Sequence, residues 1–403
     1  MKFLGYRRKD GSVGIRNKVL ILPASICASD VCRKVAEQVE GTVTFHNVLG
    51  CSQTPIDQVC TITTMAGLAA NPNIYGTILI TLGCENCQMN LVKDAIEERC
   101  NKPLETFVIQ ECKGTLATIE KAIRAARDMV IDASRMVREE VNISELKVGT
   151  ECGGSDPTSG LAANPLVGEL SDMLVEANGT SVLSETTEFI GAQHILARRA
   201  VNETVANDIM NIVAHYEDSM HQVNDDVRSR NPSPGNIVGG ITTLEEKSLG
   251  CIYKSGHAVI QAVYDYAQPI TKKGLVIMDT PGNDPISIMG MVAGGCQLIV
   301  FTTGRGTPTG NPIVPVIKIS ANRETCEVMR DNLDFDASSI IYGEKTMEEL
   351  KIELLHEVIE VASGKLTRSE VFGYFETAIA RVGRYVMDEL EANGLHKIGT
   401  YYY

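Results

Sequence analysis

Short apolar runs that alternate with amphipathic helical segments are the feature of this sequence that most constrains its fold. Lys18–Pro23 (KVLILP), Thr77–Leu82 (TILITL), Leu275–Asp279 (LVIMD) and Leu298–Thr302 (LIVFT) consist almost entirely of apolar residues, as expected of strands buried on both faces. Helical patterns such as Met89–Arg99 separate these runs. The sequence therefore predicts an α/β fold of mostly parallel sheets that are covered by helices.

The length of the chain, 403 residues, exceeds what a single hydrophobic core usually serves, so two domains are expected. Strand and helix patterns restart near Leu146, after a long amphipathic helix predicted for Thr115–Glu139. We predict a first α/β domain over residues 1–143 and a second over residues 144–403 that ends in C-terminal helices. Because ligands of open α/β sheets bind outside the carboxyl ends of strands, two Rossmann-like units would place the active site in the cleft between them.

The charge balance and the N-terminus exclude several classes of protein. A formal net charge of -14, with no basic stripe, argues against binding of nucleic acid through phosphate contacts. The polar start of the chain lacks the apolar segment of a signal peptide, and no run reaches the roughly 18 apolar residues of a membrane helix. We therefore expect a cytoplasmic protein that does not insert into a membrane.

Thiols, imidazoles and carboxylates recur at the carboxyl ends of the predicted strands. Since these ends meet at one edge of a parallel sheet, the recurrence indicates a metal-assisted site. The residues concerned are His46 and Cys51, Cys84 and Glu85, Cys152 with Ser155 and Asp156, Glu185 with Glu188 and His194, and Gly304 with Arg305.

Two interpretations of the metal site compete. Cys51, Cys84 and Cys152 each adjoin a glycine, and three thiolates from three loops could hold an iron–sulfur cluster with one open iron. A mononuclear Fe(II), Mn or Mg site of nitrogen and oxygen ligands is the alternative, with ligands drawn from His46, Glu85, Asp156, Glu185 and His194. A third interpretation treats the cysteines as small buried residues at tight turns.

Two further segments carry a functional and a structural interpretation each. Gly304–Asn311 lacks the spacing of a nucleotide-binding loop. It is either a small anion-binding nest, in which the Arg305 guanidinium makes two hydrogen bonds to a carboxylate, or a turn between strands. Thr242 and Thr243 precede Glu245 and Lys247, which suggests either a helix start or an acid–base pair beside the substrate.

The order of motifs along nearly the whole chain resembles the altronate/galactarate dehydratase family, which also includes the large subunit of sulfolactate sulfo-lyase. The motifs are Gly5-Tyr6-Arg7-Arg8, Gly14-Ile15-Arg16-Asn17, the segment from His46 to Cys51, Asn71-Pro72-Asn73, Leu82-Gly83-Cys84-Glu85, Cys152-Gly153-Gly154-Ser155-Asp156, Glu245-Glu246-Lys247-Ser248-Leu249-Gly250, Asp279-Thr280-Pro281-Gly282 and Thr303-Gly304-Arg305-Gly306.

The resemblance implies dehydration of a sugar acid, such as altronate or galactarate, to a 2-keto-3-deoxy acid with iron or another divalent metal such as Mn or Mg. It also implies a small β-clip (SAF-like) module, which we expect here as a separate small subunit in a homo-oligomer or hetero-oligomer. The alternatives are the large subunit of a sulfolactate sulfo-lyase, which releases sulfite and pyruvate, and a non-catalytic scaffold subunit.

Elimination from a hydroxy acid needs cations on the carboxylate, a base for the α-proton and help for the leaving oxygen. The predicted substrate-binding residues are Arg305, Lys318, Asp156, Ser155 and Gly304. The predicted base is His46 or His194, with Glu185, Glu245 and Lys247 as further catalytic candidates. The predicted metal ligands are Cys51, Cys84, Cys152 and Glu85.

Overall fold

A computed structural model describes residues 1–221, 225–229 and 231–381. Within these residues fourteen strands form three sheets. The strands are β1 (Lys2–Arg7), β2 (Val13–Gly14), β3 (Lys18–Pro23), β4 (Thr42–Val43), β5 (Ile74–Thr81), β6 (Leu104–Val108), β7 (Glu139–Asn142), β8 (Lys147–Cys152), β9 (Thr180–Leu183), β10 (Ile260–Tyr264), β11 (Gly274–Met278), β12 (Leu298–Thr302), β13 (Val316–Ser320) and β14 (Phe335–Asp336).

Fourteen α-helices connect and cover the sheets in the same part of the chain. They are α1 (Ile26–Ala36), α2 (Pro55–Ala70), α3 (Met89–Arg99), α4 (Thr115–Ala133), α5 (Asn164–Glu176), α6 (Gln193–Ala197), α7 (Glu203–His221), α8 (Pro234–Val238), α9 (Leu244–Cys251), α10 (Asp284–Ala293), α11 (Arg323–Val328), α12 (Ser338–Ile341), α13 (Met347–Ala362) and α14 (Arg368–Phe372).

Two of the sheets are parallel, which confirms the predicted α/β class. The first has the order β4-β3-β5-β6, and the second has the order β10-β11-β9-β8-β12-β13-β14. The central strands are buried on both faces, as their continuous apolar sequences require. No helix in the described part of the chain combines the length and the apolar character needed to cross a membrane.

Helices α2 and α10 lie between the two parallel sheets and share one hydrophobic core with both. A Cβ atom on Gly67 would lie 2.3 Å from the carbonyl oxygen of Ala293, so a glycine is needed for this close approach. The Asn71 side chain, directly after α2, donates to the carbonyls of Val292 and Cys296 at the end of α10. The C-terminal ends of the two helices therefore meet in the core between the sheets.

The third sheet was not predicted, and one of its two pairings joins strands that are far apart in sequence. Strand β1 pairs antiparallel with β7 and with the short β2. The helix predicted for Thr115–Glu139 ends at Ala133, and Glu139 instead begins β7. The C-terminal helix predicted from Ser369 onward is also shorter, since Gly373 adopts a left-handed conformation (φ 67°) that ends α14. The rest of that predicted helix, beyond residue 381, lies outside the described residues.

A buried ion pair joins the start of the chain to α14. The Arg16 guanidinium donates through Nε and Nη2 to the two carboxylate oxygens of Glu370, at 2.7 and 2.8 Å, and both side chains are 6% exposed. Its other donors reach the carbonyls of Ile15, Val361 and Lys365. Every remaining donor is thus used, which is the condition under which a buried pair is stable.

Glu370→Gln should lower the free energy of unfolding by about 1.5–3 kcal/mol at pH 7, because a charged acceptor of two hydrogen bonds is lost. Burial alone would raise the pKa of Glu370, but Arg16 and Lys18 hold it below its usual 4.5. The contribution of ionised Glu370 to the free energy of unfolding is therefore fully present above pH 4.5. It is lost as the pH falls through the lower pKa that Glu370 has in the folded state.

Urea unfolding of the wild type and the variant at pH 7 and in acid measures this difference. Glu140→Gln, which changes an exposed surface pair with Lys2, serves as the control. A Glu370→Gln effect no larger than that of the control, or one that grows in acid, would refute the assignment.

Candidate active site

A buried group of thiols, carboxylates and one ammonium lies at the carboxyl ends of β8 and β9. The thiol of Cys152, the last residue of β8, lies 2.5 Å from Glu188 Oε2 and 3.6 Å from the thiol of Cys251. Lys254 Nζ lies 2.7 Å from Cys152 Sγ and 3.2 Å from Glu188 Oε2. It also donates to Glu185 Oε2 at 3.3 Å. We call Cys152, Glu185, Glu188, Cys251 and Lys254 the central cluster.

Close packing of glycines brings α9 and the turn after it against α5 and the turn Ser159–Ala163 before it. A Cβ atom on Gly168 would lie 2.1 Å from the carbonyl oxygen of Tyr253, and one on Gly160 would lie 3.2 Å from the Cα of Gly250. Larger residues would therefore separate these segments. The turn Ile252–Ser255 follows α9 directly and carries the Lys254 ammonium into the interior.

The backbone at Glu185 is held in an unfavourable conformation. Its φ of 65° is left-handed, a region that residues other than glycine seldom occupy. The hydroxyl of Thr280 accepts a hydrogen bond from the Glu185 backbone N–H at 2.7 Å, and Glu185 Oε2 accepts one from the Cys152 N–H at 3.0 Å. Residues held in this way occur preferentially at functional sites.

The two carboxyl groups of the central cluster, Glu185 and Glu188, differ in protonation state. Burial alone would raise the pKa of Glu188, but Lys247 and Lys254 lower it well below its usual range, so Glu188 is ionised. Burial, together with Glu188, raises the pKa of Glu185 to about 8, so Glu185 keeps its proton at neutral pH. Burial alone would lower the pKa of Lys254, but Cys152, Glu188 and Glu185 raise it well above its usual range. An ionised carboxylate and a neutral acid side by side can divide the roles of base and acid.

A pocket of about 270 Å³ opens beside the central cluster. Cys251 and Lys247 line it, and Lys247 Nζ lies 3.1 Å from Glu188 Oε1. Ser155 also lines the pocket, and its buried hydroxyl has no hydrogen-bond partner among the described residues. One wall includes part of the π-helical turn Ser159–Ala163, a feature frequent at functional sites. The volume is close to the lower end for ligand pockets, so the pocket is suited in size to a small molecule.

Two groups of side chains have the spacing of metal ligands. In the first, one ligand atom from each of Cys152, Glu188 and Cys251 lies within 4.8 Å of the others. In the second, the same holds for the carboxylates of Glu151, Glu185 and Asp284. Both groups are built from the second sheet and its connections, whereas the sequence predicted a site in the cleft between two units.

Gly153 allows the end of β8 to pass close to Asp284. A Cβ atom at this position would lie 2.2 Å from Asp284 Oδ2, so Gly153→Ala must displace that carboxylate. We expect the variant to lower the free energy of unfolding by about 1–3 kcal/mol, as overpacking does in tight interiors. Urea unfolding measures the loss. Gly235→Ala, where the added Cβ meets nothing closer than 3.7 Å, is the control, and equal stability of the two variants would contradict the prediction.

The structure separates the three cysteines that were predicted to hold a metal together. Cys51 and Cys84 are exposed on neighbouring loops of the first sheet, whereas Cys152 is buried in the second. Within the described residues, their sulfurs do not form a group of ligand atoms within 4.8 Å of one another. The Cys152 thiol instead contacts Glu188 and Cys251.

Glu85, the fourth predicted metal ligand, closes a turn of the first sheet. Its Oε1 accepts a hydrogen bond from the backbone N–H of Leu82 at 2.7 Å, and its Oε2 accepts one from that of Gly83 at 2.6 Å. The Ser25 hydroxyl also donates to Oε1 at 3.2 Å. The carboxylate is buried and satisfied by these donors, which gives it a structural role in this structure.

The predicted acid–base residues divide between the surface and the site. His46 and His194 are exposed, and neither imidazole hydrogen-bonds to the central cluster. Glu245 is exposed as well and lies 3.6 Å from Arg228. Lys247 does reach the site, but its partner is Glu188 of the central cluster and not Glu245.

Asp156, predicted to bind substrate, organises the turn after β8. Its Oδ1 accepts hydrogen bonds from the N–H and the hydroxyl of Ser159, and its Oδ2 accepts one from the Asn322 side chain at 2.8 Å. Gly304 permits this arrangement, because a Cβ atom there would lie 2.3 Å from the Asp156 carboxyl carbon. Asp156 and Ser155 both line the pocket.

The two cations predicted for the substrate carboxylate have different environments. Lys318 is buried, and its ammonium donates to the carbonyls of Thr309 at 3.0 Å and Pro308 at 3.4 Å. It therefore supports the loop after β12. Arg305 is exposed at the start of that loop and donates to the carbonyl of Gly235 at 2.9 Å.

Four residues of the site were not among the sequence predictions. Cys251 and Lys254 follow the predicted segment that ends at Gly250, and their spacing of three puts both on one face of a helical turn. That spacing is a signal that could have identified them. Glu151 lies inside an apolar strand and Asp284 begins α10, a helix that the sequence pattern did not indicate.

Comparison with known proteins gives consistent matches over nearly the whole chain. Residues 143–385 match the family model described as D-galactarate/Altronate dehydratase, C-terminal, and residues 5–134 match D-galactarate dehydratase/Altronate hydrolase, second domain. The chain is 36% identical to an altronate dehydratase of Bacillus subtilis over 391 residues, which cover 94% of this chain and 78% of that protein.

Two other relatives are named for related enzymatic activities. A galactarate dehydratase (L-threo-forming) of Escherichia coli is 37% identical, with coverage of 90% of this chain and 73% of the relative. The (2R)-sulfolactate sulfo-lyase subunit beta of Chromohalobacter salexigens is also 37% identical, and the match covers 94% of this chain and 97% of that subunit.

Proposed function

We propose a substrate and a mechanism on the premise that the chain belongs to the D-galactarate/altronate dehydratase family and is a hydro-lyase. The substrate is a sugar acid such as altronate or galactarate, and the product is the corresponding 2-keto-3-deoxy acid. The observation that carries the proposal is the central cluster, which combines an ionised carboxylate, a neutral acid and an ammonium beside a small pocket.

Substrate binding is assigned to groups that line the pocket. Lys247, which also pairs with Glu188, supplies a positive charge for the substrate carboxylate. The Ser155 hydroxyl, without a partner among the described residues, is available to a hydroxyl of the substrate. A fixed cation at the carboxylate stabilises the charge that develops when the neighbouring carbon loses its proton.

Proton transfer is assigned to the central cluster as one hydrogen-bonded unit. The α-proton passes to the Glu188 carboxylate, whose Oε1 lies 3.1 Å from Lys247 at the pocket. The Lys254 ammonium gives a proton to the departing hydroxyl and regains one from Glu185, which lies 3.3 Å away. One proton is accepted and one is donated, so the balance is the loss of water, and the enol product then becomes the keto acid.

The donor set also fits a metal ion. Iron(II), or another divalent metal such as Mn, would be held by Cys152, Glu188 and Cys251, whose ligand atoms lie within 4.8 Å of one another. When bound, the metal supplies a Lewis acid for the leaving oxygen. Two thiols are fewer than the cysteines that usually hold iron–sulfur clusters, so a single ion is favoured over a cluster.

Sulfolactate cleavage is the second candidate function. The match covers nearly the whole of the sulfo-lyase subunit beta, more than it covers of either dehydratase. The same α-proton removal would then be followed by departure of sulfite instead of water. The comparisons lend no support to a non-catalytic scaffold, because the relatives are named as enzymes.

The sulfo-lyase relative is named as a subunit, so that protein works with another chain. We extend this to the present chain and propose a small β-clip (SAF-like) partner in a hetero-oligomer. Full turnover by the purified chain alone would argue against a partner that catalysis requires.

The experiment is an anaerobic assay of the Fe(II)-loaded protein with altronate, galactarate and sulfolactate in separate reactions. We expect a 2-keto-3-deoxy acid from one of the sugar acids, and little turnover by Cys251→Ser. Cys27→Ser changes an exposed cysteine of α1 and should behave as the wild type. Sulfite from sulfolactate alone would select the second function. No product from any of the three acids, either from the chain by itself or after addition of the proposed small β-clip partner, would refute the proposal.

A further inference from the structure

We propose that Asp172 and Arg199 are positioning residues, which fix the chain segment that carries the Lys254 ammonium into the central cluster. The inference rests on the proposed function, in which Lys254 gives a proton to the leaving group. Lys254 is 1% exposed, and the segment that follows it, residues 255–258, reaches the surface at His257. Within the described residues, neither Asp172 nor Arg199 hydrogen-bonds to a member of the central cluster, so both would act through this segment.

Arg199, which lies shortly after α6, spans the two ends of the 255–258 segment. Its Nη1 donates to the Ser255 hydroxyl oxygen at 3.0 Å, and its Nη2 donates to the Ser255 carbonyl at 3.2 Å. Its Nη2 and Nε also donate to the carbonyl of Ala258, at 2.8 and 3.2 Å. A planar guanidinium presents donors in a fixed fork, so one side chain can hold both ends of the segment at once.

The Ser255 hydroxyl transmits this restraint to the turn that holds Lys254. It accepts a hydrogen bond from Arg199 and donates one to the carbonyl of Ile252 at 2.6 Å. The second bond closes the turn Ile252–Ser255 around Lys254. The Lys254 ammonium must meet three members of the central cluster at 2.7 to 3.3 Å, so a small shift of the turn would break these contacts.

Asp172 of α5 holds the same segment through its backbone N–H groups. Both carboxylate oxygens accept from the His257 N–H at 2.8 Å, and Oδ1 accepts from the Ala258 N–H at 2.9 Å. A Cβ atom on Gly256, whose φ is 58°, would lie 2.4 Å from Asp172 Oδ1, so only glycine allows this close approach. Burial lowers the pKa of Arg199 and the charge of Asp172 offsets part of this effect, so the two charges interact.

The first test compares kcat and KM of the Fe(II)-loaded wild type and Arg199→Ala, with the acid that the wild type turns over and the small partner where turnover requires it. We expect kcat to fall about 10–100-fold, because misplacement by about 1 Å can cost 10²-fold. KM should stay within about twofold, since Lys247 and Ser155, which are assigned to substrate binding, are unchanged. Arg198→Ala changes the exposed neighbour and should behave as the wild type.

Chemical rescue separates a displaced Lys254 from a loss of folded protein. Arg199 is partly exposed, so guanidinium ion at millimolar concentration can enter the space that Arg199→Ala leaves. It should restore part of the lost kcat. Guanidinium is a denaturant, so it would not raise the activity of a variant that was merely less folded.

A second test needs no turnover, so its outcome can be told apart from a failure of the proposed function. The Tm is measured for Arg199→Ala, Lys254→Met and the double variant. If Arg199 acts by holding Lys254 in its ion pairs, the double variant should lose less Tm than the sum of the two single losses. If Arg199→Ala does not fold, Asp172→Asn replaces it in both tests, because an amide has one acceptor oxygen where the carboxylate has two.

Four results would overturn the inference. They are additive losses of Tm, wild-type kcat in Arg199→Ala, a raised KM with unchanged kcat, and a lowered kcat that guanidinium does not restore. If the wild type turns over none of the acids, the proposed function fails, and the Tm measurements alone decide whether the two residues act through Lys254.

Discussion

Glu188→Gln should lower kcat by about 10²–10⁴-fold with a sugar acid substrate, the usual loss when a general acid or base is removed. Glu188 is the ionised carboxylate of the central cluster, and it contacts the thiol of Cys152 and the ammonium groups of Lys247 and Lys254. Glutamine keeps the shape of the side chain but cannot accept a proton from the substrate. Steady-state kinetics of the anaerobic Fe(II) enzyme give the measurement.

Glu245→Gln is the matched control for this change. Glu245 belongs to α9 and was a catalytic candidate in the sequence, but its side chain is exposed near Arg228. We expect its kcat to remain within about twofold of the wild type, as for surface changes outside the site. If Glu188→Gln retained more than about a tenth of wild-type kcat, or if Glu245→Gln lost as much, the assignment of the base would be wrong.

Lys254→Met should lower the free energy of unfolding by about 3–5 kcal/mol, the cost of removing one partner from a buried ion pair. The ammonium is 1% exposed and lies within 3.3 Å of the Cys152 thiol and of two carboxylates. Methionine fills similar volume but leaves the Glu188 charge with Lys247 as its remaining cation. Equilibrium urea unfolding, monitored by circular dichroism, measures the loss.

Lys345→Met provides the comparison for this variant, because Lys345 forms an exposed pair with Glu353. Exposed pairs contribute at most about 1 kcal/mol, so the two methionine variants should differ by several kcal/mol. Equal stability would mean that the Lys254 ammonium contributes no more than a surface charge, and the electrostatic description of the central cluster would fail.

The apolar strands were the part of the fold that sequence could predict. KVLILP, TILITL and LIVFT are each buried on both faces, and such runs have few alternatives in a soluble chain. Helix α10 was missed because its sequence, DPISIMGMVA, is apolar on most sides and has no amphipathic period to detect. It is apolar because it lies between two sheets.

Pairing between distant segments could not be predicted from local patterns. Strand β1 pairs with β7, which lies more than a hundred residues further along the chain, and neither strand is strongly apolar. Their pairing brings together two segments that lie far apart in the sequence, and no property of either strand alone specifies it.

The sequence rule for strand ends selected some members of the central cluster and missed others. Cys152, Glu185 and Glu188 follow adjacent strands, so the rule that ligands bind at carboxyl ends of strands located them. The same rule also selected Cys51, Cys84 and His46, since sequence does not reveal whether a side chain at a strand end points inward or outward. Lys254 was missed because a buried lysine is recognisable only by its partners, and these come from other segments.

The central claim is that the buried thiols and carboxylate beside the pocket form the metal-holding catalytic centre. Anomalous diffraction at the iron edge, from crystals of protein loaded anaerobically with Fe(II), tests it most directly. The expected result is an iron peak bonded to the sulfurs of Cys152 and Cys251 and to the Glu188 carboxylate. An iron peak at the exposed thiols of Cys51 and Cys84, with none at the central cluster, would contradict the claim.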